Sequence, residues 1–223
     1  MKAMFIKTVN HLFCFLLITK ISFAQIPVRE EPRHHVAFQN QYIRLLDVRL
    51  PPHDTTLFHV HEIPSLFVVL SKTLTASQIK DSNWVNGTFT SNPGYAWYNN
   101  FKSGPLIHRV ANTDTVPFHV MDIEILSNYN KNNLAPLAFD TLFTCEKAFA
   151  YNITLSGEKD KKQIINRGPI VAIVVSGSIN VHFTDNETKT VDAGKFIFIE
   201  PKTKWWFQNK NNNKTSIVAF ELK

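Results

Sequence analysis

The stretch PPHDTTLFHVHEIPSLFVVL, Pro51 to Leu70, decides how the rest of the chain is read. Pro51-Pro52 stops whatever strand precedes it, because proline cannot donate to a sheet ladder. Thr55 to His61 is a short run of β-formers. Leu66 to Leu70 is apolar at every position, the pattern of a strand covered on both faces. Between them, Phe58-His59-Val60-His61 places two histidines at i and i+2. On a strand those positions share a face, so the two imidazoles stand side by side. Neutral imidazole binds Zn, Fe, Cu or Ni, and such a pair suits two adjacent positions on one ion.

The pattern extends outward in both directions. Upstream, Tyr42 to Leu50 is a strand that ends at the two prolines. Downstream, turn signals stand at Asn86-Gly87, Asn92-Pro93-Gly94 and Ser103-Gly104-Pro105. Val116 to Leu126 contains a further strand, with Ile123 and Ile125 on one face. Asn128 to Asn133 is polar and aperiodic, as a linker would be, and a short helix is expected near Ala135 to Asp140. The β pattern then resumes at Tyr151–Leu155, Val171–Val175, Ile179–Phe183, Phe196–Ile199 and Ile217–Leu222, punctuated by Gly157, Gly168-Pro169, Gly177, Asn186 and Gly194. Short strands with regular turn signals predict an all-β chain of two sandwich- or barrel-like units. The expected boundaries are a leader at 1–24, a first barrel at 25–127, a linker at 128–140 and a second barrel at 141–223.

Composition narrows the function classes. Of 223 residues 44% are apolar, with 18 Phe, 5 Tyr and 4 Trp, which is ample for a core and excludes a mainly disordered chain. No apolar run approaches the roughly 20 residues needed to span a bilayer, so no stable membrane insertion is expected. Lys2 and Lys7, the apolar run Leu12 to Ile18 and the small residues of Ser22-Phe23-Ala24 read as a secretory leader cut near Ala24-Gln25. The mature protein is then periplasmic or extracellular. Losing Lys2, Lys7 and Lys20 and no acid takes the net charge from +6 to +3. The remaining lysines form no stripe, so no nucleic-acid partner is expected. Cys145 alone survives cleavage and cannot form an internal disulfide; it reads as a small buried hydrophobe.

A third histidine lies about 50 residues beyond the pair, in Gly104-Pro105-Leu106-Ile107-His108-Arg109-Val110-Ala111-Asn112. With these residues the sequence resembles the cupin superfamily. Its first motif is His-x-His on a strand after a turn, matched by Pro51 to His61. Its second is a Gly-led turn, then His and, four residues on, Asn, matched by His108 and Asn112. The resemblance implies tandem antiparallel jelly-roll barrels, with His59, His61 and His108 on one divalent metal ion (Fe, Zn, Mn or Ni). It also implies a small-molecule ligand.

One family position departs. The Glu that usually follows His-x-His by three or four residues is replaced by Ser65 and Leu66. Glu62 is adjacent to His61 and should face the other way. Glu62, Ser65, Asn112 and Glu124 are candidates for the surrounding shell, and Arg109 should point away from the ion. His34, His35 and His53 lie in polar contexts and are expected to be exposed, and His182 on a surface strand. In the second half, counting back from Gly177 puts the ligand positions near Ile164, Asn166 and Ile170, and the motif-2 His position at Trp205, with Asn209 keeping the trailing Asn. The second barrel keeps the scaffold and loses the ligands. The chemistry stays open between a small-molecule metalloenzyme of oxygenase or isomerase type, a non-catalytic binding module, and a structural bicupin whose apolar strands form a homodimer.

Overall fold

The structure is a computed structural model that describes residues 25–87, 92–129, 135–157, 162–165, 168–210 and 213–223. The first half carries strands β1 (Ile26–Pro27), β2 (His34–Gln39), β3 (Ile43–Leu50), β4 (His59–His61), β5 (Ser65–Val69), β6 (Thr75–Ile79), β7 (Val85–Asn86), β8 (Ala96–Asn99), β9 (Leu106–Asn112) and β10 (Phe118–Ile125). The second carries β11 (Asp140–Thr144), β12 (Ala148–Leu155), β13 (Lys162–Ile165), β14 (Ile170–Ser176), β15 (Ser178–Phe183), β16 (Thr188–Asp192), β17 (Phe196–Ile199), β18 (Lys204–Asn209) and β19 (Thr215–Leu222).

The two halves share one plan. Sheet β2-β3-β10-β5-β8 in the first matches sheet β11-β12-β19-β14-β17 in the second, and β4-β9-β6-β7 matches β13-β18-β15-β16. Each half is a two-sheet jelly roll whose sheets are not hydrogen-bonded into a closed cylinder. The addition is β1, which pairs in parallel with β4 as a fifth strand. No described strand of the second half corresponds to it.

Two-residue alternation explains why the central strands are apolar on both faces. Ile43, Leu45, Leu66, Val68, Met121, Ile123 and Ile125 pack against Ala148, Ala150, Val171, Ile173, Val218, Phe220 and Leu222 of the other jelly roll. The alternate positions of the same strands face their own interiors. In the second half that interior is a large cluster including Tyr151, Ile170, Ala172, Val174, Trp205, Phe207, Ile217 and Ala219. In the first it is a smaller one of Val28, Leu46, Val48, Leu50, Phe67 and Val120. The two jelly rolls therefore meet back to back. At that seam a Cβ on Gly194 would come within 3.3 Å of the His119 ring. The outward apolar faces of these central strands are covered within the chain.

Three sequence expectations change. No helix forms at 135–140: Leu137 and Phe139, two residues apart, both pack on the second core, and Asp140 opens β11 inside the expected linker. The only described helical piece is a 3₁₀ turn at Val28–Glu30. The run Thr55 to His61 is strand only from His59, because Thr55 makes a single bridge to Ala111 and Thr56 bonds the Val110 carbonyl across the turn. No described helix is long and apolar enough to cross a membrane.

Candidate metal centre

The site is built on the pairing of β4 with β9, which sets His59 directly across from His108. His59 and His61 are both buried, and Val60 between them faces the other side. The His108 ring lies 4.7 Å from that of His59 and 5.0 Å from that of His61. The His59 and His61 Nε2 atoms face each other at 3.1 Å. Two nitrogens on one ion at about 2.0–2.1 Å would stand roughly 2.9–3.4 Å apart, so the pair has the spacing of neighbouring ligands.

A fourth imidazole joins them. His34, at the start of β2, is 8% exposed, and its ring is 4.6 Å from that of His59. Ligand nitrogens of His34, His59 and His61 all lie within 4.8 Å of one another. The expectation that His34 is exposed is overturned. β2 pairs with β3 through His34 and Val48, and this turns the ring inward beside an apolar floor. His35 and His53 are exposed as expected, while His182 is half-buried, stacked on Trp206 at 5.0 Å.

Electrostatics favour neutral, lone-pair-bearing rings. Burial, with the neighbouring imidazoles, pushes the pKa of His59 to about 3 and that of His61 to about 2; burial and then His34 take His108 to about 4. The His59 Nδ1–H donates to the Leu57 carbonyl at 2.9 Å, which leaves the lone pair on Nε2. His108 Nδ1 is 3.4 Å from the Ser77 hydroxyl, and its buried Nε2 has no hydrogen-bond partner among the described residues. The donor atoms that converge are those of His34, His59 and His61, with the His108 ring adjacent, and buried imidazoles of this kind fit a divalent transition metal.

The rings line a cavity of about 240 Å³ whose other walls include Val48, Leu50, Phe67, Trp97, Phe118 and Val120. Phe67 and Trp97 stack at 4.6 Å. Asp122 also faces this cavity, with its Oδ2 3.6 Å from His61 Nδ1 and no hydrogen-bond partner among the described residues. Burial first, then Glu124, holds its carboxyl well above the usual range.

The other shell candidates do different jobs. Glu62 is exposed. Ser65 is buried and donates to the Ile63 carbonyl. Glu124 is buried against Arg44, 2.6 Å away, on the same face as Asp122 but outside the cavity lining. Asn112 is a loop clamp: its Nδ2 donates to the carbonyls of Leu50, Pro51 and Val116, and its Oδ1 accepts from Asp114 N. Arg109 points away, bonded to Gln78 and lying over the rings of Phe58 and Trp84. His119 binds Asp47 at 2.8 Å, away from the cluster. Sequence reasoning missed His34, Glu31 and Asp122. Asp122 was within reach, since Asp122 and Glu124 alternate with Met121, Ile123 and Ile125. His34 carried no spacing signal.

In the second jelly roll, register places Trp205 where His108 stands, Ile164 where His59 stands and Ala219 where Asp122 stands. Trp205 is fully buried in the core. Asn166, at the position of His61, lies outside the described residues. No titratable ligand is left at the described positions.

This is a tandem cupin-type jelly roll with a histidine cluster in one half. No protein-family model matches the sequence, and no curated protein matches it. Solved structures do share the fold. AerE from Microcystis aeruginosa superposes with a TM-score of 0.64 at 12% identity, covering 83% of this chain and 90% of that one. The salicylate 1,2-dioxygenase of Pseudaminobacter salicylatoxidans gives 0.55 at 13% identity over 81% and 71%. A gentisate adduct of that dioxygenase gives 0.54 at 12% identity over 81% and 68%. These are cupin-fold proteins, and at such identities the likeness establishes the fold.

Proposed function

We propose that the chain is an exported bicupin that binds one divalent metal ion through His59, His61 and His108 and acts on a small, largely apolar or aromatic molecule, with dioxygenase chemistry as the leading reading. The observation that carries it is the convergence of neutral, buried imidazoles on the wall of an apolar cavity. The dioxygenase among its fold neighbours, one structure of which is a gentisate adduct, supports an aromatic substrate. An imidazole-bound metal of this kind supplies a Lewis acid or an O₂-activating centre. The chain supplies the rest. Phe67 and Trp97 offer a flat apolar wall. Among the described residues the cavity lining carries histidines and Asp122 but no Arg or Lys. The leader pattern of residues 1–24 supports export.

Asp122 favours a second reading, an isomerase, because a buried carboxyl with a raised pKa facing the cavity can carry a proton. One experiment separates the readings. The full mature chain is loaded anaerobically with Fe(II), and oxygen uptake is followed with gentisate, salicylate and catechol. Metal-dependent uptake that vanishes in His59→Ala supports the dioxygenase. Absence of uptake with every compound contradicts it. Metal-dependent turnover without uptake, abolished by Asp122→Asn, supports the isomerase. Ligand-dependent stabilisation without turnover marks a binding module.

A further inference from the structure

We propose that His34 is a fourth imidazole ligand of this centre, braced by Glu31. The proposal rests on the metal-site reading above and specifies its coordination.

Glu31 is 1% exposed and its carboxylate accepts three hydrogen bonds. Its Oε2 accepts the His34 Nδ1–H at 2.6 Å and the Arg33 backbone N–H at 2.8 Å. Its Oε1 accepts the Leu57 N–H at 3.1 Å, and the Arg33 guanidinium is 3.9 Å away. Such a carboxylate orients a ring rather than competing for an ion. With Nδ1 engaged by Glu31, Nε2 is the ring nitrogen left for the ion. A carboxylate behind a histidine is a recurrent way of fixing a metal-ligating imidazole.

The brace is tied to the other ligands. The backbone of Leu57 donates to Glu31 through its N–H and accepts from His59 Nδ1 through its carbonyl. One residue thereby links the brace of His34 to the orientation of His59. β1 adds a second tie, pairing Ile26 with His59 and Pro27 with Val60. The second jelly roll lacks both devices among its described residues. There the register of β11 on β12, with Asp140 opposite Asn152 as His35 is opposite Asp47, puts Phe139 at the place of His34. Phe139 packs on the core and against Tyr151. The segment around Glu31 and His34 is thus elaborated only where the other histidines are.

The competing role is structural: a buried Glu31–His34 hydrogen bond that pins residues 28–34 to the jelly roll. Counting imidazoles distinguishes the two. The full mature chain is loaded with Co(II), and X-ray absorption fine structure and competition titration are measured for wild type, His34→Phe, His34→Gln, Glu31→Gln and His59→Ala. Phenylalanine is chosen because Phe139 fills the equivalent place, and glutamine serves if the ring packs badly. Four imidazoles are expected in wild type and three in either His34 variant, with affinity weakened by roughly 10–100-fold. Glu31→Gln should keep four and weaken binding by a similar factor. Three imidazoles in wild type, or unchanged count and affinity in a folded His34 variant, overturns the proposal by itself. A wild type that takes up no Co(II), or a His59→Ala variant that keeps it unchanged, instead removes the metal-site reading on which it rests.

Discussion

Trp205 in the second jelly roll and His108 in the first occupy the same register position, one filling a core and the other facing a cavity. The substitution is part of a set. His34 corresponds to Phe139, His59 to Ile164 and Asp122 to Ala219. Two other positions do not change character. Asn209 repeats the clamp of Asn112, donating from Nδ2 to the carbonyls of Leu155 and Asn213, and Glu221 is buried where Glu124 is buried. The comparison separates two layers of sequence. Outward-facing apolar positions and the Asn clamp build the jelly roll. The inward ring of polar groups is dispensable to it: the second jelly roll fills the same positions with apolar and aromatic groups and keeps a single buried polar atom there without a hydrogen-bond partner among the described residues, the Trp205 indole Nε1.

The comparison can be broken most sharply at its central pair. Trp205→Ala should cost about 3–5 kcal/mol by opening a void in a packed core. His108→Phe should leave the metal-free protein as stable as wild type or more so. Chemical denaturation of both variants checks this, and equal losses would dissolve the distinction between core and site. Acid comes next. His59, His61 and His108 have folded pKa values of about 3, 2 and 4, below the unfolded value of about 6.5. The unfolded chain therefore binds more protons in the interval, so metal-free stability falls as pH drops below about 6.5. His108→Phe should flatten that slope in a series of melts from pH 7 to pH 4. Asp122 has the opposite sign. Its raised folded pKa means the native state holds the proton longer, so its contribution is lost as pH rises above about 4. Asp122→Ala, the residue found at Ala219, should raise metal-free stability at neutral pH by about 1–3 kcal/mol. The smallest contrast is between the clamps: Asn112→Ala and Asn209→Ala should each cost about 1–2 kcal/mol, alike within error, because both hold loops by side chain–carbonyl bonds.

Much of this was legible in the chain. Leu66 to Leu70 read as a strand covered on both sides, and it is covered, by its own interior and by the other jelly roll. The repeat was legible in the Asn and Gly spacing, and the count back from Gly177 reached Ile164, which the register pairs with Trp205. His59, His61 and His108 were found by local alternation and motif spacing. His34 was not, because only the pairing of β2 with β3 and the buried Glu31 turn it inward, and neither leaves a short-range signature. The helix expected at 135–140 does not form for a related reason: tertiary packing of Leu137 and Phe139 decides that segment.

The most direct measurement is metal content. The chain from residue 25 onward, purified without a histidine tag, would be compared with its His59→Ala/His108→Ala variant by elemental mass spectrometry, before and after incubation with Fe, Zn, Mn and Ni. About one ion per chain in wild type, lost in the double variant while its fold persists, is the predicted result, with the second jelly roll contributing none. No ion in either protein under any loading would contradict a metal centre in the first jelly roll.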